Sequence, residues 1–231
     1  MKKVKDIGIL VPSFDLDKCT LCGKCAEFCQ YNAIAIMREK LLFFEKLCHG
    51  CGGCKIICPD DAITETNHII GVIEKCSKKN PLLYHGLLNI AEPLSVPIIR
   101  ELKNFTNTDG HPTVILDAPP GTACPAVETM RDTDFCILVT EPTPFGLHDL
   151  KLAIDVVKDL NIPYGVIINR DGIGDERVEQ YCKNENVSFL VKIPNDLRIT
   201  RLYSQGIPII EGLSEYKSVF VDIYEKIKDV M

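Results

Sequence analysis

"CTLCGKCAEFCQYNAI" (residues 19–34) and "CHGCGGCKIICPDDAI" (residues 48–63) are two copies of one unit, set twenty-nine residues apart and both ending in Ala-Ile. Each copy spaces its cysteines C-x2-C-x2-C-x3-C: Cys19, Cys22, Cys25 and Cys29 in the first, Cys48, Cys51, Cys54 and Cys58 in the second. The chain has 12 cysteines in 231 residues. That is many for a protein of a reducing compartment, where thiols stay free, so regular short gaps between them read as metal ligation before disulfide bonding.

The spacing resembles that of bacterial two-cluster ferredoxins. In that arrangement the first three cysteines of a run bind one [4Fe–4S] cluster and the fourth crosses to the other. The resemblance implies one cluster on Cys19, Cys22, Cys25 and Cys58 and a second on Cys48, Cys51, Cys54 and Cys29, the two being neighbours. Gly23, Gly50, Gly52 and Gly53 suit tight loops that bring backbone N–H groups to sulfur. Pro59 follows the last cysteine as in the pattern, and Gln30 after Cys29 departs from it. Zinc knuckles also use C-x2-C pairs, but they close with four ligands from separated pairs, whereas each run here offers three cysteines at two-residue gaps. With four thiolates per cluster supplied, His49 reads as an exposed loop histidine.

Over the whole chain the composition is that of a folded protein, with 46% apolar residues and a net charge of −6. Lysines and arginines are scattered among acids, which argues against nucleic acid or an anionic membrane as partner. No stretch approaches the roughly 20 apolar residues of a membrane span, and Pro12 and Asp15 interrupt any leader-like core, so the cytoplasm is the expected location.

Beyond Thr66 short apolar runs alternate with amphipathic segments. "GVIEKC" (71–76), "LLYHGLL" (82–88), "TVILDAP" (113–119), "DFCILVTEP" (134–142), "YGVIIN" (164–169) and "SFLVKIP" (188–194) read as strands. "SVPIIRELKNF" (95–105), with Ser95 as N-cap, reads as a helix. So do "GLHDLKLAIDVVKDL" (146–160), "GDERVEQYCKNEN" (174–186), "NDLRITRLYS" (195–204) and "SEYKSVFVDIYEKIKDV" (214–230). The alternation indicates an α/β fold with a parallel sheet covered on both faces, which binds ligands at the carboxyl ends of its strands. Val219, Phe220, Ile223 and Ile227 on the last helix form a stripe expected to pack on the core. Cys136 reads as a small core residue, Cys124 as a buried residue at a helix start, His148 as helix surface, and Asp175 and Glu176 as helix N-terminal charge.

"DAPPGT", "LVTEPTPFGLHDL", "GVIINR" and "KIPND" follow one another at successive strand ends, and together they resemble the MinD/Mrp superfamily of P-loop ATPases, in particular its branch with an inserted two-cluster ferredoxin. The resemblance extends over essentially the whole chain. It implies a lead-in segment of the nucleotide-binding domain at 1–12, the ferredoxin at 13–68 and the MinD/Mrp-like nucleotide-binding domain at 69–231. It further implies that Asp117 is the acid on the magnesium side of an ATP site, with Gly121 in the adjoining switch. Asn169 would meet adenine, beside Arg170; Pro194 and Asp196 would flank the base; residues 139–144 would lie next to the phosphates.

The family's glycine-rich loop, G-x-x-x-x-G-K-[S/T], occurs nowhere in the 231 residues. The expectation is therefore weak ATP and magnesium binding and negligible hydrolysis by the half-site present. Either the native protein is longer and has the full ATP site, or these residues work as a redox protein completed by a partner. The implied function is electron transfer through two [4Fe–4S] clusters between a protein donor and acceptor, gated by ATP, with a homodimer as the implied assembly. The alternative is an iron–sulfur cluster carrier of the Mrp type.

Overall fold

The computed structural model describes residues 2–76, 82–106, 113–187 and 190–230. They form two compact units, Met1–Leu116 and Asp117–Met231.

The first unit runs β1 (Lys2–Phe14), α1 (Lys24–Phe28), β2 (Ile34–Met37), β3 (Lys40–Phe43), α2 (Gly53–Ile57), β4 (Ile63–Cys76), β5 (Leu83–Leu88) and α3 (Val96–Thr106). β1 and β4 pair antiparallel along their lengths, from Lys2 opposite Lys75 to Phe14 opposite Ile63. Both cysteine runs are thus carried on the connection between two paired strands. β5 joins the far side of β4, giving the order β1-β4-β5. Ile7, Ile70 and Ile73 turn towards Ile98 of α3, backed by Leu102 and Phe105. Ile70 and Ile73 are three apart, and the register shift between Ile7 and Gly8, which leaves Ile70 unpaired on β1, lets both face the helix. The helix lies close on the sheet. A Cβ at Gly86 would stand 2.2 Å from the Ile98 side chain, so the approach requires glycine there.

"GVIEKC" and "LLYHGLL" are strands as expected, but they belong to this antiparallel meander and not to the parallel sheet. The direction of a short apolar strand depends on its neighbour, which periodicity does not reveal. The expected boundaries at 12/13 and 68/69 fall inside β1 and β4.

The second unit runs α4 (Cys124–Met130), β6 (Cys136–Thr140), α5 (Pro144–Asp159), β7 (Tyr164–Asp171), α6 (Arg177–Asn184), β8 (Leu190–Pro194), α7 (Leu197–Ser204), α8 (Ile209–Gly212) and α9 (Lys217–Val230). Strands β6, β7 and β8 pair in that order, all parallel. Successive residues of β7 point to opposite faces. Val166 and Ile168 pack with Leu150, Ile154 and Val157 of α5 and Val178 and Cys182 of α6. Ile167 turns the other way, with Val191, onto Ile223 of α9, flanked by Val219 and Ile227. Helices therefore cover both faces. The α9 stripe is core packing, except that Phe220 stays partly exposed. Ser188 and Phe189, the start of the expected last strand, lie outside the described residues.

"TVILDAP" is a correction. Residues 113–119 are not a strand, and Ile115 is 89% exposed. A strand exists only where a neighbour takes its N–H and C=O groups, and among the described residues none pairs with this stretch. Among the described residues β6 pairs on one side only, with Val139 63% exposed. Cys124 is also exposed and not buried, whereas Cys136 packs against the core and His148 is at the surface.

Ile154 is fully buried between α5 and the sheet. Ile154→Ala should cost about 2–5 kcal/mol of stability, seen as a lower urea midpoint for the loss of far-UV helical signal. Leu152→Ala, on the exposed side of the same helix, should change it little.

Candidate metal centre

The cysteine runs are built as one structure repeated. Gly23 (φ 85) and Gly52 (φ 73) hold left-handed conformations just before α1 and α2, a turn that a side chain would strain. Cys29 N–H bonds to Ala26 and Cys58 N–H to Lys55, closing each helix. The strands repeat too. Ile34 pairs with Phe43 and Ile63 with Phe14, and the Phe44 and Asp15 N–H groups donate to Ala33 and Ala62, each at 2.8 Å. Phe14, Phe43, Ile34 and Ile63 make a small core with Cys25, Cys54 and Cys58 at its edge. The two halves are held in register by that core.

Two hollows result. One is lined by Cys48, Cys51, Cys54 and Cys29, walled by Phe28, Ala33, Ile34 and Phe43. The other is lined by Cys19, Cys22, Cys25 and Cys58, walled by Phe14, Ile36, Leu41 and Ile63. Each hollow takes three cysteines from one run and the fourth from the other.

None of the 12 cysteines is in a disulfide. Gly50 N–H donates to Cys48 Sγ and Ala33 N–H to Cys29 Sγ, both at 3.4 Å. Burial pushes the Cys25 and Cys48 thiols up and the Cys54 thiol to about 11. Charging these sulfurs without a compensating cation is costly, and iron supplies that charge. Among the described residues no three His, Cys, Asp or Glu side chains converge on a single ion. Sulfurs spread around an apolar hollow fit a multinuclear cluster better than one tetrahedral zinc.

Two further contacts escaped the reading of the sequence. The rings of Tyr31 and His49 stack at 3.7 Å between centroids and 7° between planes. Thr20 Oγ1 donates to Asp60 Oδ2 at 2.6 Å. Each joins one run to the other, and the twenty-nine-residue repeat places them at equivalent positions.

The residues expected at a nucleotide are partly gathered, all in the second unit. Asn169 and Arg170 end β7, where Arg170 (φ 55) pairs with Glu141 beyond β6 at 3.3 Å. Pro194 stands opposite Asp171, and Asn195 N–H donates to Asp171 O. The carboxyl ends of the three strands are thereby tied together. Asp196 caps α7: it accepts from the Arg198 backbone N–H at 2.8 Å, from the Arg198 guanidinium and from Tyr216 Oη. Asp117 and Gly121 lie in the exposed stretch before α4; Gly121 has φ 88 and open space around its α-carbon.

The family model for a 4Fe–4S binding domain matches residues 12–35 and 42–64. Two uncharacterised proteins of Methanocaldococcus jannaschii are similar over most of the chain. One is 35% identical over 77% of this chain and 62% of its own length, the other 30% identical over 92% and 73%. An iron–sulfur cluster carrier protein of the same organism is 30% identical over 50% of this chain and 47% of its own length. The chain thus spans between about half and three quarters of the length of these relatives. A solved structure of the cell division ATPase MinD of Pyrococcus furiosus superposes with a TM-score of 0.48 at 24% identity, over 61% of this chain and 60% of that one, a likeness too loose to bear on function.

The Arg198 guanidinium and backbone N–H hold the Asp196 carboxyl down from 3.8 to about 2. A depressed carboxyl contributes stability above its ordinary pKa and loses it as pH falls through the folded value. Wild-type protein should therefore lose part of its stability between about pH 4 and pH 2. Asp196→Asn, compared by thermal unfolding, should start less stable at neutral pH and show a shallower decline over that window.

Proposed function

The chain belongs to the MinD/Mrp family that carries a ferredoxin-like 4Fe–4S domain, and from that premise we propose that it holds two [4Fe–4S] clusters and passes electrons between a protein donor and acceptor in the cytoplasm. The observation that carries the reading is the lining of the two hollows, four cysteines each, with Cys29 and Cys58 exchanged between the runs. The ligand sets are Cys19, Cys22, Cys25 and Cys58 for one cluster and Cys48, Cys51, Cys54 and Cys29 for the other. When bound, such a cluster takes up and releases single electrons. The protein's part is to fix four thiolates, to direct N–H groups at sulfur, and to surround the site with Phe, Ile and Leu side chains that limit water.

The second unit is proposed to sense nucleotide at the carboxyl edge of β6–β8, through Asn169, Arg170 and Pro194, with Asp117 and Gly121 on the phosphate and magnesium side. Asp196 would act there indirectly, since its carboxylate is engaged in capping α7. An ATP-gated electron transfer and a homodimer are part of this proposal.

The relatives' names favour a second reading, a carrier that hands a cluster to other proteins. Under that reading the cargo would leave one of the two hollows, because Cys76, Cys124, Cys136 and Cys182 share no ligand spacing.

Iron and acid-labile sulfide should each reach about eight per chain in protein purified without oxygen. Cys58→Ala should remove the cluster of the first run, and Cys29→Ala that of the second, each leaving about half the iron. Holoprotein mixed with an apo-acceptor should keep its iron while reducing or oxidising a redox partner. Rapid movement of labelled iron to the acceptor would establish the carrier reading instead.

A further inference from the structure

The two contacts between the cysteine runs occupy one place in the repeat and differ in chemistry. In the hollow of Cys48, Cys51, Cys54 and Cys29, the residue after the first cysteine, His49, meets the residue two beyond the crossing cysteine, Tyr31. In the other hollow the same two positions are Thr20, after Cys19, and Asp60, two beyond Cys58. Each contact therefore pins the chain that delivers the fourth sulfur against the chain that delivers the first. We infer that these are latches that position the crossing cysteines, and that their difference makes the two clusters unequal: the stacked rings cover one cluster, and a hydroxyl–carboxylate hydrogen bond holds the other without covering it. This rests on the two-cluster reading above.

Two flat rings 3.7 Å apart leave no room for water between them, and both residues border the hollow while remaining exposed to solvent. The Thr20–Asp60 bond is as direct, but it is a narrow polar link, and only its acid borders the other hollow. Reduction adds negative charge to a cluster, and water stabilises that charge. Opening the stack should therefore raise the potential of the covered cluster and admit oxidant to it, leaving the other as it was. One acid borders each hollow, Glu65 at the first and Asp60 at the second, with Lys55 bonded to Glu65 and Lys24 bordering the second; Glu45 adds a further negative charge near Cys48.

The test uses the full chain with its clusters, purified without oxygen, in wild-type, Tyr31→Ala, Tyr31→Phe and Thr20→Val forms. Iron and sulfide are counted first, then both potentials are measured by redox titration with paramagnetic resonance, and cluster absorbance is followed in air. Tyr31→Phe should match wild type because it keeps the stack. Tyr31→Ala should raise one potential of the two and make half the absorbance bleach faster. Thr20→Val should disturb the other half. Loss of half the iron in Tyr31→Ala, with the second cluster unchanged, supports the latch equally. Unchanged potentials and bleaching in fully loaded Tyr31→Ala, equal effects on both clusters, loss of all iron, or a Tyr31→Phe variant as impaired as Tyr31→Ala would each overturn it. Fewer than two clusters in the wild-type chain would overturn the two-cluster reading itself, and the iron count shows this before any variant is compared.

Discussion

The antiparallel pairing of β1 with β4 is the constraint on which the cysteine chemistry depends. It brings Phe14 opposite Ile63, so the chain between them must leave and return at one place. Within that closed loop the twenty-nine-residue repeat folds twice, and each copy supplies a strand end, a left-handed glycine and a one-turn helix. Closing a loop of this length costs entropy once, and the ladder repays it over the whole length of β1. The four-residue hairpin of β2 and β3 would be marginal by itself. It is held because Ile34 and Phe43 share a core with Ile63 and Phe14.

From that closure the interleaving follows. A run of three cysteines surrounds one hollow, and the one-turn helix carries the fourth cysteine away to the next. Burial pushes the Cys25 and Cys48 thiols up and the Cys54 thiol furthest, so these sulfurs are costly to charge until a cluster compensates them. Folding of this segment and cluster assembly are thereby coupled. The second unit depends on no such compensation. Its stability comes from Val166, Ile168 and Ile154 on one face of the parallel sheet and from Ile167 and Ile223 on the other.

What could be read from the residues alone was local. The C-x2-C-x2-C-x3-C spacing, the strand–helix alternation after Asp134 and the apolar period of α5 are short-range patterns; the structure forms the helices and strands expected after Asp134 and lines two hollows with the eight spaced cysteines. What depends on a distant partner was not legible. "TVILD" has the residues of a buried strand, but Val114 and Ile115 are exposed because no described strand lies beside them. "GVIEKC" carries no mark of the direction in which its neighbour runs. His49 gave no signal of Tyr31, eighteen positions earlier. Aligning the two copies residue by residue would have placed His49 with Thr20 and Tyr31 with Asp60, but would not have shown that each pair touches. Asp196 was read as a nucleotide neighbour, and the structure shows its carboxylate spent on α7 and Tyr216.

The most direct test of the account is the low-temperature paramagnetic resonance spectrum of the fully reduced, iron-loaded chain. Two clusters that exchange a cysteine between neighbouring hollows should interact magnetically, giving a broadened, split spectrum that simplifies when only one is reduced. A single unsplit signal at full reduction, or a protein that binds zinc and no iron, would contradict it.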